Sequence, residues 1–141
     1  MKIRIRYLAD ITKMEKINVG DWIDLRCADH IVLGKGESTL IPLGVAMELP
    51  KGYEAIVAPR SSTFKAYGIL MTNSIGVIDE SYCGDKDEWR FPAYATRDVF
   101  IPRDTRIAQF RIIEHQPEIE FEAVESLGNK DRGGFGSTGE A

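Results

Sequence analysis

Soft metal ligands are scarce in this chain. Two cysteines, Cys27 and Cys83, and two histidines, His30 and His115, stand far apart and share no metal-binding spacing. That disfavours a zinc centre and a disulfide scaffold, and both thiols read as buried or half-buried side chains in a reducing compartment. Long apolar runs are missing too, and nothing approaches the roughly 20 residues of a membrane span. Met1 to Leu8 alternates Lys and Arg with Ile and Tyr where a signal peptide would be uniformly apolar. These absences place the chain in the cytoplasm. A basic excess is likewise lacking: 18 Lys and Arg against 22 Asp and Glu give a net charge of −4. An acidic chain has no footprint for a nucleic-acid backbone, although a local basic pocket for a small anion remains open.

What is present is ordinary globular material. With 141 residues, 43% hydrophobic and 28% charged, the chain has room for one domain with one core. Period-two alternation predicts short strands at Lys2–Leu8, Trp22–Ala28, Gly44–Leu49, Tyr53–Ala58, Ile69–Thr72, Trp89–Ala95, Asp98–Ile101, Arg106–Ile113 and Ile119–Val124. Gly, Pro and Asp clusters between them mark turns, as at Gly34–Gly36, Pro50–Gly52, Cys83–Asp85 and Pro102–Asp104. Many short strands at close spacing predict an all-β sandwich or barrel of the jelly-roll kind. One short helix is expected over Ser61–Tyr67, with Ser61 or Ser62 as N-cap.

Five segments hold residues capable of chemistry. Pro59-Arg60-Ser61-Ser62-Thr63 offers a guanidinium, hydroxyls and free backbone amides at a helix start, an anion site or simply a capped helix with a surface arginine. Asn73 to Asp85 reads NSIGVIDESYCGD, a strand pair around Gly76 that gathers Asn73, Asp79 and Tyr82. Such a hairpin can pair with a nucleobase edge, Asp79 can act as a general base and Tyr82 can stack under a sugar; a plain turn with a solvated acid is the alternative. Asp24 in GDWIDLRCA and Gln109 in RIAQF interrupt apolar patterns, either by outward alternation or for function, whereas Asp21 reads as a turn residue. The glycine-rich end, LGNKDRGGFGSTGEA from Leu127 to Ala141, is either a frayed terminus or a phosphate-closing lid carrying Lys130, Arg132, Phe135, Ser137 and Thr138.

Taken in order, GDWIDLRCA, PRSSTFKAYGI, NSIGVIDESYCGD, RIAQF and RGGFGSTG resemble the five motifs of the trimeric dUTPase family, the deoxyuridine 5'-triphosphate nucleotidohydrolases. The resemblance runs through nearly the whole chain, and the third and fifth motifs are individually specific. It implies a jelly-roll-like β-barrel over residues 1–126, with 127–141 as a flexible arm, assembled as a homotrimer whose active sites draw on three chains. It also implies hydrolysis of dUTP to dUMP and pyrophosphate with Mg²⁺, which keeps uracil out of DNA and supplies dUMP for thymidylate synthesis. Asp79 becomes the base that activates a water against the α-phosphorus. Asn73, Gly76, Ile78, Tyr82 and Phe135 hold uracil and deoxyribose. Arg60, Ser61, Ser62, Gln109, Arg132, Ser137 and Thr138 hold the phosphates, and Asp24 touches the metal through water.

The chain departs from the family pattern at three places. Trp22 stands two positions before Asp24 where a small residue is usual, and Asp104 replaces a glycine two residues before RIAQ, read as a changed turn with little chemical effect. In the fifth motif Lys130 occupies the usual arginine position and the arginine is Arg132; its bidentate geometry favours Arg132 for the γ-phosphate. Two other readings compete. A dCTP deaminase shares the fold and needs a glutamate such as Glu88 in DKDEWRF. A nucleotide-gated binding protein with a regulatory partner would keep Arg60 and Tyr82 but lose Asp79, which is present here.

Overall fold

The computed structural model describes residues 1–16 and 18–136. Strands and one helix follow in the order β1 (Arg4–Tyr7), β2 (Ile23–Arg26), β3 (Ile31–Leu33), β4 (Ser38–Pro42), β5 (Val45–Glu48), β6 (Tyr53–Pro59), α1 (Thr63–Tyr67), β7 (Ile69–Met71), β8 (Gly76–Ile78), β9 (Arg90–Ala95), β10 (Val99–Ile101) and β11 (Arg106–Glu114). All strand pairs are antiparallel, in the ladders β1-β5, β3-β10, β4-β9-β7 and β2-β11-β6-β8. Together they form the jelly-roll-like all-β architecture expected from the strand spacing.

The ladders share one core because their inward residues are apolar. Leu25, Ile41, Val45, Val57, Ile69, Phe91, Ile101 and Phe110 are all buried in a single cluster. Trp89 packs edge-to-face on Phe110 at 5.1 Å between ring centres. Each such side chain contributes about 1.5–3 kcal/mol by leaving water. The helix is a single turn and a half, stopped at Gly68, whose φ of 65° lets its amide close on the Phe64 carbonyl. Among the described residues no helix is long and apolar enough to cross a membrane.

Several expectations change. Ile119–Val124 forms no strand; it pairs with no strand of its own chain and runs exposed, with Phe121 94% accessible. β3 and β4 form on either side of the turn expected at Gly34–Gly36, where no strands were expected, since their exposed Val32 and Leu40 blur the alternation. The strand pair expected around Gly76 does not close on itself: β7 joins β9 while β8 joins β6, so the intervening Asn73–Ile75 crosses between two sheets. Ser62 precedes α1 without a side-chain cap, and the Thr63 hydroxyl, at the first helical position, binds the Arg60 amide ahead of the helix rather than a helix amide. Cys27 is buried, and desolvation raises its thiol pKa, but Cys83 is exposed rather than half-buried.

Candidate active site

Two clusters of polar side chains stand apart on the four-stranded sheet. The first lies where β2, β11 and the end of β6 meet. Asp24 on β2 pairs in register with Gln109 on β11, which pairs in turn with Ala58 on β6. This alignment brings Arg60, just past β6, to the carboxylate: its Nε is 3.1 Å from Asp24 Oδ1. Arg106 approaches the other oxygen, Nη1 to Oδ2 at 3.4 Å. One half-buried carboxylate therefore sits between two guanidiniums. The Gln109 side-chain amide donates to the Pro59 carbonyl at 3.1 Å, holding the strand end that launches Arg60.

Beneath Arg60 lies Thr63, the one buried polar side chain of the described residues. Its hydroxyl accepts the Arg60 amide proton at 3.0 Å and donates to the Ile107 carbonyl at 2.7 Å. The turn between them leaves Ser61 and Ser62 exposed at the surface beside Arg60. A helix of five residues adds little dipole, so any grip on an anion here comes from Arg60, the hydroxyls and backbone amides rather than from the helix as such. Next to this cluster a cleft of about 350 Å³ is lined by Lys13, Trp22, Asp24, Arg26 and Arg106. Trp22, the bulky departure before Asp24, forms one wall, with the Arg111 guanidinium 5.7 Å from its ring centre.

The second cluster surrounds the exit of β8. Asp79 follows Ile78 and is exposed, and its Oδ2 accepts both the amide of Ser81, at 2.8 Å, and the Ser81 hydroxyl. These donors favour the charged form and hold the Asp79 carboxyl below the usual carboxylate range. The Tyr82 amide closes the turn on the Asp79 carbonyl, and the Tyr82 hydroxyl donates to the Glu88 carbonyl at 2.9 Å, which fixes the ring. A cleft of about 390 Å³ opens beside Val77, Ile78, Asp79, Tyr82 and Trp89. At the start of β8 Asn73 and Gly76 are neighbours: a Cβ on Gly76 would lie 3.8 Å from Asn73 Nδ2 and 3.4 Å from Val57 Cβ. Ser74 between them holds a φ of 62°, so this crossing loop is tightly wound.

Asp24 and Asp79, at the hearts of the two clusters, stand far apart within one chain. β2 and β8 are the opposite edges of the sheet, with β11 and β6 between them. Three strand spacings are about 14 Å, and the Asp24 row is three residues along β6 from the Ile78 row, about 10 Å further, so their backbones are on the order of 17 Å apart. Phe135, Lys130 and Arg132 are exposed and touch neither cluster, whereas Ser137 and Thr138 lie outside the described residues. Arg106, Thr63 and Ser81 stand inside RIAQF, PRSSTFKAYGI and NSIGVIDESYCGD, but nothing in those motifs assigned the three a role. Asp104, read there as a minor turn change, is a hub: it holds a φ of 71° and accepts the Thr12 amide and hydroxyl at 2.8 and 2.6 Å.

No group of three or more His, Cys, Asp and Glu among the described residues could hold a metal. His30 Nδ1 accepts the Arg103 amide and Cys27 Sγ lies 3.1 Å from the Pro102 carbonyl, so neither belongs to a zinc set. Asp24 is a lone hard carboxylate beside an open cleft, with both oxygens already paired to guanidiniums, so it would face a magnesium ion only through that ion's waters, on an ion that arrives already held by phosphate oxygens.

Known structures resemble this one closely in backbone. The dUTPase of Staphylococcus bacteriophage 80alpha, solved as a variant with dUpNHpp, superposes with a TM-score of 0.78 at 20% identity over 98% of each chain. The Streptococcus mutans dUTPase gives 0.72 at 20% identity over 82% of this chain and 98% of its own. The fold is thus that of the jelly-roll dUTPases. The dUTPase family model matches residues 11–139. The SPbeta prophage-derived deoxyuridine 5'-triphosphate nucleotidohydrolase YosS of Bacillus subtilis strain 168 is 57% identical over 99% of both chains. The deoxyuridine 5'-triphosphate nucleotidohydrolase of Hydrogenobaculum is 39% identical over 83% of this chain and 82% of its own. The chain belongs to the dUTPase family.

Proposed function

We propose that this protein is a cytoplasmic dUTP diphosphatase that hydrolyses dUTP to dUMP and pyrophosphate, working as a homotrimer with Mg²⁺. The observation that carries the reading is Asp79: an exposed carboxylate, kept ionised by two bonds from Ser81, at the rim of a cleft walled by Tyr82. An ionised carboxylate at that place can take the proton of a water as its oxygen attacks the α-phosphorus, and the departing pyrophosphate needs charge compensation more than it needs a strong acid. Bound magnesium supplies charge neutralisation on the phosphates, with Asp24 reaching its hydration shell. Arg60, the Ser61 and Ser62 groups and Gln109 hold the phosphates electrostatically.

Base selection falls to the loop and strand from Asn73 to Tyr82. Backbone groups around Gly76 and Ile78 and the Asn73 amide can match the edge of uracil, and cytosine reverses two of those groups, leaving polar atoms unpaired at about 1–3 kcal/mol each. Tyr82 beneath the sugar leaves no space for a 2'-hydroxyl. Glu88, the acid a deaminase would need at the ring, lines the same cleft and accepts the Gly44 amide at 3.0 Å.

A trimer completes the site. With the Asp24 and Asp79 clusters at opposite sheet edges, one chain's phosphate residues need another chain's Asp79 and Tyr82. The exposed apolar stretch Ile119–Val124 supports the same assembly, since Phe121 would gain burial against another copy. Residues 127–141 then act as a third chain's arm, bringing Phe135 over the base and Arg132, Ser137 and Thr138 to the phosphates. The test is purified protein with Mg²⁺ against dUTP, dCTP, dTTP and UTP, with Asp79→Asn in parallel. Turnover of dUTP alone, lost in the variant, is expected; consumption of dCTP instead would make the protein a deaminase.

A further inference from the structure

We propose that Glu80 is a positioning residue for Asp79, acting through the backbone rather than on the substrate; the inference rests on the reading of Asp79 as the base. Asp79 is bonded only within its own turn, by Ser81 and Tyr82, because its side chain is exposed and the last ladder pair of β8 is Ile78 with Ala55. The chain beyond that pair is held by the next side chain. Glu80 Oε2 accepts the amide proton of Gly52 at 3.0 Å, and Oε1 lies 3.5 Å from His115 Nδ1. The ring closes through the backbone, since the His115 amide donates to the Gly52 carbonyl at 2.9 Å.

Three elements are thereby tied together. Gly52 immediately precedes β6, His115 immediately follows β11, and Glu80 lies just past β8, so the tie spans three adjacent strands of the sheet at one end. Asp79 is held between two fixed points, Ile78 in the ladder and Glu80 on Gly52, while Ser81 aims its carboxylate. His115 Nε2 is buried without a partner among the described residues, so its ring turns its one paired nitrogen toward Glu80. A base must sit within hydrogen-bond reach of its water, and a misplacement of about 1 Å can cost on the order of 100-fold in rate. Glu80 is the side chain that prevents that displacement.

The test compares Glu80→Ala and Glu80→Gln with wild type and Asp79→Asn, measuring kcat and KM for dUTP and calorimetric affinity for the non-hydrolysable imido analogue of dUTP. Glu80→Ala should lower kcat about 10- to 100-fold with KM and analogue affinity within about threefold. Glu80→Gln retains an oxygen for the Gly52 amide and should recover to within about threefold of wild type. Wild-type kcat in Glu80→Ala, a loss confined to KM and analogue affinity, or a Glu80→Gln as impaired as Glu80→Ala overturns the proposal while an inactive Asp79→Asn leaves the base reading standing. An active Asp79→Asn overturns both. Amide exchange in the wild type gives a check independent of variant folding: the Gly52 amide should be protected, and free exchange there contradicts the tie.

Discussion

Ser81 donates its amide and its hydroxyl to one and the same oxygen of Asp79, so the residue two places downstream sets both the direction and the ionisation of the carboxylate. Both bonds favour the charged form and lower the Asp79 pKa. Replacing Ser81 with Ala removes the hydroxyl bond, so the pKa should rise and the acid limb of the kcat/KM profile should move to higher pH, with activity at neutral pH retained. A pH–rate series from roughly pH 4 to 8 checks this. An unmoved acid limb would mean that Asp79 is not the group that limits activity in acid.

Thr63 joins the Arg60 amide to the Ile107 carbonyl inside the core. Thr63→Val keeps the shape, loses the hydroxyl and leaves both backbone groups short of a partner, at a cost of about 1–3 kcal/mol. Thermal unfolding should begin several degrees earlier, and KM for dUTP should rise because the turn that presents Arg60, Ser61 and Ser62 loosens. A melting curve and a KM measurement read the two effects separately.

Much of the architecture could be read from the sequence, because alternation is a direct imprint of burial on one face of a strand. β6, β9 and β11 show it cleanly in Tyr53–Pro59, Arg90–Ala95 and Arg106–Glu114. It failed where an apolar residue faces outward without a partner in its own chain. Phe121 carries a strand pattern and forms none, while Val32 and Leu40 sit in strands that their surroundings disguised. The site residues were visible as types at motif spacings, but their arrangement was not. Nothing in the spacing of Asp24 and Asp79 says that they lie at opposite edges of one sheet, since that depends on β8 leaving β7 for β6. Thr63, Ser81 and Glu80 were invisible for another reason: they work through hydrogen bonds to neighbouring backbone, and common residue types in common turns leave no pattern.

Asp104 supplies an acid-sensitive tie between the turn before β11 and the N-terminal segment. The bonds from Thr12 come first, and Arg26 and Arg103 add to them; together they lower the Asp104 pKa. The sign follows: a depressed carboxyl contributes stability that is present above its unfolded pKa, about 3.9, and is lost as pH falls through the lower folded value. Asp104→Asn should therefore be less stable than wild type at neutral pH and converge with it in strong acid. Melting midpoints of both proteins across that range decide the matter.

Removing residues from Gly133 onward takes away Phe135, Ser137 and Thr138 while leaving every strand of the barrel intact. Turnover should fall at least tenfold, about 1.4 kcal/mol or more of lost transition-state stabilisation, with the melting midpoint unchanged. Full turnover in the truncated protein would remove the arm from the mechanism.

The most direct measurement of the shared site mixes two inactive proteins, Asp79→Asn and Arg60→Ala, under conditions that let subunits exchange. Each variant spoils a different cluster, and an active site built from one chain's Arg60 and another chain's Asp79 is whole in about a quarter of the sites of a random equal mixture. The account predicts that dUTP turnover returns to roughly that fraction of wild type when the two are mixed. Mixed trimers, verified by mass spectrometry, that remain as inactive as either parent would show that Arg60 and Asp79 do not serve one nucleotide across a subunit boundary.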